Sequence, residues 1–190
     1  MRLFTLEHGR AAYRIDFALY GAAVLALAAF LVADGPRPQR LEIAALALAG
    51  LAGWTAIEYV MHRFVLHGLE PFRSWHVEHH RRPSALIFTP TLASATLIAS
   101  LVWLPALLLG GLWRACALTL GVLAGYLAYT ITHHAVHHWR ADNAWLRERK
   151  RWHALHHHAP LPQCFGVTSA FWDRVCGTSR REALSRPLPR

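Results

Sequence analysis

Charged residues are scarce in this chain, and so are cysteines. Only 16% of the 190 residues are charged while 54% are hydrophobic, which leaves too little polar sequence to cover an ordinary soluble domain. Cys116, Cys164 and Cys176 form no Cys-x-x-Cys pair and leave an odd count, so we expect reduced thiols and no disulfide framework. No stretch carries a motif for flavin, haem or nicotinamide, so no organic redox cofactor is predicted.

Four long apolar runs account for much of the hydrophobic content. Each is close to the roughly 20 residues that a helix needs to cross a bilayer, and they lie at residues 15–33, 41–60, 86–109 and 112–131. One such run is also typical of a buried helix in a soluble protein, but four in so short a sequence predict membrane spans. The first run has no small-residue cleavage site followed by a soluble domain, so we interpret it as a span. Residues 1–190 are predicted to form a single membrane domain.

Arginine supplies most of the positive charge and predicts how the spans are oriented. The segment before the first span, the loop between the second and third, and the tail after the fourth are rich in arginine, whereas the other two loops hold only Arg37, Arg40 and Arg114. Because positive residues favour the cytoplasmic side, both termini and the central loop are predicted to be cytoplasmic. A net charge of +9 could also indicate nucleic-acid binding, but the arginines follow the spans and form no basic face, so no nucleic acid partner is predicted.

Histidine is the residue in unusual abundance. The sequence has 14 histidines, and 13 of them lie in four clusters that read HRFVLH from His62, WHVEHH from Trp75, THHAVHH from Thr132 and WHALHHH from Trp152. Two clusters repeat the pattern HxxHH, in which positions i, i+3 and i+4 share one face of a helix. The first cluster has an i,i+5 pair and the third has i,i+4 pairs. With four spans, all four clusters are predicted to lie at the cytoplasmic membrane surface.

The clusters predict a metal centre, because imidazole is the commonest metal ligand in proteins and ionisable groups at a membrane are usually functional. Ten imidazoles at ligand spacings exceed the four ligands of a structural zinc site. Two ions with five nitrogens each would keep an open position per ion, where His-ligated iron binds dioxygen. The count favours a non-haem di-iron centre, although zinc uses the same ligands. A non-catalytic membrane metal-binding protein or transporter is the alternative, but a transporter needs mid-membrane ligands, and the first and third spans contain no histidine.

The third cluster contains two pairs with the same spacing. His133/His137 and His134/His138 are both i,i+4 pairs, and on a helix the two pairs point about 100° apart. One pair would supply ligands, while the other would lie outside them or at the surface. Spacing alone does not choose between the two pairs.

Glu58 is a candidate for a supporting role near the clusters. Glu58 precedes His62 by one helical turn and lies on the same face, where it could orient His62 through a hydrogen bond or pair with an arginine at the membrane interface. Spacing leaves both possibilities open. Trp152 is interpreted as an interfacial aromatic residue.

At these motifs the sequence resembles the fatty acid hydroxylase/sterol desaturase superfamily, and most of all the catalytic domain of fatty acid 2-hydroxylases. The matching segments are EYVMHRFVLH, WHVEHHRRPSALIFTP, THHAVHH and WHALHHHAPLPQCFGVTSAFWD, which together cover about residues 58–177. The resemblance implies an all-α integral membrane protein with a four-helix transmembrane bundle and a cytoplasmic, histidine-rich helical cap. Matched motif by motif, the implied metal ligands are His62, His67, His76, His79, His80, His133, His137, His153, His156 and His157.

The resemblance also implies an activity, namely hydroxylation of a C–H bond of a lipid, most often in a fatty acyl group, by a di-iron centre and dioxygen. Two iron ions are the expected cofactors, and zinc can replace them in purified protein. Carotenoid or other isoprenoid hydroxylases, sterol-type hydroxylases and desaturases of the same superfamily are the alternatives. No b-type cytochrome domain with an HPGG motif is present, so we expect an external electron donor, either a ferredoxin or a b-type cytochrome/reductase. The compact size resembles bacterial members and predicts a bacterial inner membrane location.

Overall fold

The computed structural model describes residues 7–179, and every regular element in that range is helical. The arginines predicted to flank the membrane at residues 1–6 and 180–190 lie outside the described residues. The helices are α1 (Arg10–Ala33), α2 (Arg40–Val60), α3 (Phe72–Arg81), α4 (Thr91–Ile98), α5 (Leu104–His138), α6 (Ala144–His158) and α7 (Phe171–Val175). A 3-10 turn (Arg37–Gln39) precedes α2, a π-helical turn (Met61–Leu66) follows it, and a second π-helical turn (Ala99–Trp103) joins α4 to α5.

The described residues form two compact units. The first consists of residues 7–54 and 86–127, and the second consists of residues 55–85 and 128–179. Both α2 and α5 begin in the first unit and continue in sequence into residues of the second, where each leads to one of the histidine clusters. All the predicted ligands therefore belong to the second unit, while the organisation of residues 1–190 as a single domain stays a prediction.

Three helical segments are long and apolar enough to cross a membrane, at Arg10–Ala33, Arg37–Leu66 and Thr91–His138. The sequence predicted four spans, and the third segment contains both the third and the fourth. Its helix begins at Thr91 and not at residue 86, because Pro90 would lie in the interior of a helix that began at residue 86, where it lacks the N–H to donate and its ring clashes with the preceding turn. The helix also continues beyond residue 131 to His138. A straight helix of this length would measure about 72 Å, more than twice the thickness of the hydrocarbon core.

The Thr91–His138 segment reverses direction at Gly111 within the first unit. Gly111 has φ 77° and ψ 178°, a conformation that glycine adopts at little cost. Tyr20 of α1 contacts both sides of this break, since its hydroxyl lies 2.7 Å from Ser94 Oγ and its ring centroid lies 4.6 Å from that of Tyr126. Along an unbroken helix, positions 94 and 126 would be about 48 Å apart. The two halves of the segment therefore run antiparallel, although the number of membrane crossings stays a prediction.

Helices α2 and α5 approach each other closely through glycines in the first unit. A Cβ atom at Gly50 would lie 2.3 Å from the Leu118 carbonyl oxygen, and one at Gly121 would lie 2.0 Å from the Ala47 carbonyl oxygen. Small residues at such positions let two membrane helices pack backbone to backbone. The pair of glycines thus sets the spacing of α2 and α5 within the first unit.

Candidate metal centre

The second unit brings nine of the ten predicted ligands into two groups, and within each group the ligand nitrogens lie within 4.8 Å of one another. The first group consists of His62, His67, His76, His80 and His156. The second group consists of His79, His133, His137 and His153. The tenth predicted ligand, His157, belongs to neither group by this distance, but its Nε2 lies 3.0 Å from His153 Nε2.

The π-helical turn explains why the first cluster has an i,i+5 spacing. In an α-helix residues five apart point about 140° away from each other, whereas a π-helical turn closes i→i+5 hydrogen bonds and aligns them. The turn spans Met61–Leu66 and ends at His67. As a result the rings of His62 and His67 face the same group, with their centroids 5.4 Å apart.

Each HxxHH triplet contributes to both groups. On a helix position i+4 lies about 40° from position i, and position i+3 lies about 60° away on the opposite side. In α3, His80 Nε2 therefore lies 3.0 Å from His76 Nε2 in the first group. His79 turns the other way, and its ring centroid lies 4.7 Å from that of His133 in the second group.

The triplet of α6 is also divided between the two groups, but its i and i+4 histidines lie at the second group and its i+3 histidine lies in the first. His153 and His157 stay together, as their 3.0 Å contact shows. His156 turns toward the first group, where its Nε2 lies 3.2 Å from His67 Nε2. The triplet of α3 thus contributes one histidine to the second group, and the triplet of α6 contributes one to the first. The sequence pattern did not predict this arrangement.

A short segment of backbone orients two histidines of the first group. His62 Nδ1 donates a hydrogen bond to the Phe165 carbonyl oxygen at 2.5 Å, and His156 Nδ1 donates one to the Gln163 carbonyl oxygen at 2.8 Å. A carbonyl can only accept, so both rings carry their proton on Nδ1 and present an unprotonated Nε2. Such an outer hydrogen bond fixes the tautomer and orientation of a metal-binding imidazole.

The nitrogen contacts of both groups fit a metal ion better than a hydrogen-bond network. His76 Nε2 lies 3.0 Å from Nε2 of both His62 and His80, but a neutral imidazole has one N–H and cannot satisfy both contacts. Two nitrogens bound at right angles to one ion, each at about 2.1 Å, would be about 3.0 Å apart. Among the described residues, neither ring nitrogen of His79 nor Nε2 of His133 has a hydrogen-bond partner although all three are buried. Lone pairs that converge without protons are what a cation requires.

Burial keeps four of the predicted ligand imidazoles in the neutral form, which is the form that can bind a metal ion. It lowers the pKa of His79 to about 3, of His67 and His80 to about 4, and of His157 to about 2. For His67 the positive charge of Arg73 lowers the pKa further. An ordinary histidine titrates near 6.5, so these four rings are neutral at neutral pH and each keeps one nitrogen lone pair free to coordinate an ion.

Glu58 contacts the segment that orients His62. Its side chain is buried, and Oε1 accepts hydrogen bonds from the backbone N–H groups of Val167 at 2.6 Å and Thr168 at 2.9 Å. Its Oε2 accepts a third from Thr168 Oγ1 at 2.5 Å. The sequence left open a hydrogen bond to His62 or a pairing with arginine, whereas these contacts connect Glu58 to the segment that carries the Phe165 carbonyl.

Asp173 is a candidate supporting residue that sequence reasoning missed. It is fully buried and accepts hydrogen bonds from the backbone N–H groups of Phe165 and Gly166, both at 2.8 Å. Trp152 Nε1 also donates to it, at 3.3 Å, so Trp152 is buried and not at an interface as predicted. The available signal was a carboxylate that directly follows two aromatic residues in the stretch AFWDRV, because a charge buried among apolar side chains needs hydrogen-bond partners.

The histidines of the third cluster separate into two pairs. His133 and His137 belong to the second group. His134 and His138 lie outside both groups and stack on each other, with ring centroids 4.6 Å apart. This placement agrees with the pair chosen from the family resemblance, while the identity of the ligands stays a prediction.

Comparisons with known proteins agree with the motifs. The family model for fatty acid hydroxylase matches residues 47–178. A dihydroceramide fatty acyl 2-hydroxylase, FAH2 of Arabidopsis thaliana, is 34% identical over 148 residues, covering 72% of this chain and 61% of that protein. A ceramide very long chain fatty acid hydroxylase, scs7 of Schizosaccharomyces pombe, is 35% identical over 146 residues, covering 69% of this chain and 41% of that protein. The matched region therefore spans at most 61% of the length of these two relatives.

A solved structure supports the fold. The hydroxylase domain visible in full-length scs7p superposes with a TM-score of 0.74 and 24% sequence identity, covering 94% of this chain and 70% of that one. At this identity the likeness concerns the fold alone. The two relatives named above are eukaryotic, so they give no support to the predicted bacterial inner membrane location, which stays a prediction.

Proposed function

This chain belongs to the fatty acid hydroxylase family, and on that basis we propose that it is a membrane-bound di-iron oxygenase that hydroxylates a C–H bond in the acyl group of a lipid. The observation that carries the proposal is the pair of histidine groups, whose unprotonated nitrogens converge at about 3 Å. The reaction consumes one dioxygen, two electrons and two protons, and it yields the alcohol and one water. The electrons come from a ferredoxin or a b-type cytochrome/reductase.

We assign five histidines to each metal position. His157 is the fifth ligand of the second group. It follows His153 by four residues in α6, and the Nε2 atoms of the two rings lie 3.0 Å apart. His80 and His76 of α3 have the same spacing and the same 3.0 Å contact in the first group. The rings of His80 and His157 also stack on each other with centroids 4.1 Å apart. The ligand sets are then His62, His67, His76, His80 and His156 for one ion, and His79, His133, His137, His153 and His157 for the other.

The protein's own residues hold and shield the centre. Iron bound in both positions supplies the activation of dioxygen and the oxidation of the C–H bond. The protein keeps the imidazoles neutral and fixes two of them through the carbonyls of Gln163 and Phe165. It also excludes water from much of the first group, since His62, His76 and His156 are buried. Zinc is expected in purified protein, because it binds nitrogen ligands more tightly than ferrous iron.

We further propose that the protein crosses the membrane four times, with both ends and the metal centre on the cytoplasmic side, in a bacterial inner membrane. The reversal at Gly111 supports two crossings within Thr91–His138, and the arginine distribution supports the orientation. Reporters fused after Arg190 and inserted within residues 35–39 should report the cytoplasmic side and the opposite side, respectively. A C-terminus on the outer side, or both reporters on one side, would contradict this topology.

Expression of the protein should add hydroxylated lipids to a host that lacks them. Lipid mass spectrometry of cells with the wild-type protein should show acyl lipids heavier by one oxygen atom, and cells with His137→Ala should not. The same shift on carotenoids or sterols would redirect the assignment to those alternative substrates, and loss of two hydrogens would indicate a desaturase. Wild-type protein that holds both metals but changes no lipid when a suitable electron donor is present would favour a non-catalytic metal-binding protein.

A further inference from the structure

We propose that Glu58 and Asp173 act together as a carboxylate clamp on the backbone near the first histidine group. This clamp gives the first metal position a higher affinity for its ion than the second position has. The inference rests on the proposed dimetal centre and concerns how its two positions differ. Both residues act through the backbone segment 163–168, so they are positioning residues and not ligands.

The clamp holds four consecutive backbone N–H groups. Those of Phe165 and Gly166 donate to the two oxygens of Asp173, and those of Val167 and Thr168 donate to one oxygen of Glu58. Hydrogen bonds to a charged, buried acceptor are about twice as strong as those between neutral groups. The segment is therefore held from both sides by charges whose burial is compensated by these bonds.

The clamp determines where the ligand-orienting carbonyls lie. Glu58 and His62 are one helical turn apart on continuous helix, so a segment fixed to Glu58 is fixed relative to His62. The Phe165 carbonyl that accepts from His62 belongs to the same peptide unit as the Gly166 N–H, which donates to Asp173. A Cβ atom at Gly166 would lie 1.9 Å from the Ser169 carbonyl oxygen and 2.9 Å from Asp173 Oδ2, so only glycine permits this approach.

Among the described residues, three histidines of the second ligand set lack this support. Nδ1 of His79, His153 and His157 is buried and has no hydrogen-bond partner there. In the first group, by contrast, His62 and His156 both donate Nδ1–H to a backbone carbonyl. An outer hydrogen bond raises the basicity of a ligand imidazole, and its loss typically costs about 10–100-fold in metal affinity. The first position should therefore hold an ion more tightly than the second.

Chelator competition on the full-length protein in detergent, loaded with zinc alone, tests the inference. We expect wild-type protein to release one zinc at low chelator concentration and the other only at about 10-fold or more higher concentration. We call release at the higher chelator concentration the tight step and release at the lower concentration the weak step. His156→Ala should remove the tight step, and His79→Ala should remove the weak step. Asp173→Asn and Glu58→Gln keep the side-chain size but remove the charge, and they should shift the tight step toward the weak one while leaving the weak step unchanged. Asp142→Asn removes an exposed carboxylate and should change neither step.

Release of both zinc ions in a single step from wild-type protein, or clamp variants that weaken both steps equally, would overturn the inference while leaving the dimetal centre intact. Wild-type protein that binds fewer than two zinc ions would overturn the centre and the inference together. If the clamp variants fail to fold, Thr168→Val removes only the side-chain hydrogen bond to Glu58. It should still shift the tight step by a measurable few-fold and leave the weak step in place, and no shift in well-folded Thr168→Val would count against the clamp.

Discussion

Replacing His133 or His137 by alanine should abolish lipid hydroxylation and lower the metal content, whereas the same change at His134 or His138 should leave both metals and measurable activity. His133 and His137 belong to the second histidine group, while His134 and His138 stack on each other outside it. Removal of a ligand empties or distorts a metal position. Removal of a neighbouring outer residue typically costs no more than about 10–100-fold in affinity or activity.

The measurement is elemental analysis of each purified variant, together with its turnover under identical electron supply. The four variants form a matched set, because they make the same change on one helix within two turns. If His134→Ala or His138→Ala lost metal while His133→Ala and His137→Ala kept it, the ligands would be shifted by one residue and the assignment at this cluster would be wrong.

A double substitution within one group should leave one metal ion, whereas a double substitution across the groups should leave none. His79 and His153 lie on different helices but in the same group, so His79→Ala/His153→Ala should retain the ion of the first group. His76 and His79 lie in the same triplet but in different groups, so His76→Ala/His79→Ala should retain neither ion.

Metal-to-protein ratios by elemental analysis distinguish the two results directly. Both double variants remove two imidazoles. A difference in their metal content therefore reflects how the histidines are divided between the two groups and not the number of ligands lost. Equal metal content in the two double variants would show that the triplets are not divided as the helix geometry indicates.

The histidine clusters could be recognised from the sequence because ligand spacing is a local property of helices. The pattern HxxHH places three imidazoles within a 100° arc of one helix, whatever that helix packs against. The HRFVLH spacing was informative for the same reason, although it is satisfied by a π-helical turn at Met61–Leu66. Which histidines share a group depends on how α3 and α6 face each other, and that is not a local property.

The supporting residues were harder to predict because their contacts depend on how the chain folds back on itself and follow no helical period. Asp173 contacts Trp152 and the segment at Phe165, and Glu58 contacts Thr168, which is 110 residues away. Glu58 was singled out only because it shares a helical face with His62. The helical hairpin at Gly111 was predictable, because the apolar runs at residues 86–109 and 112–131 are separated by Gly110 and Gly111.

The most direct test of the central claim is isotope labelling with purified, iron-loaded protein, its lipid substrate and a competent electron donor under labelled dioxygen. If the two histidine groups form an oxygenase centre, the hydroxylated lipid should carry one oxygen atom from dioxygen. The variant His62→Ala should form no product, because it loses a ligand that the Phe165 carbonyl orients. Product that forms without dioxygen, or whose new oxygen comes from water, would contradict the proposed function.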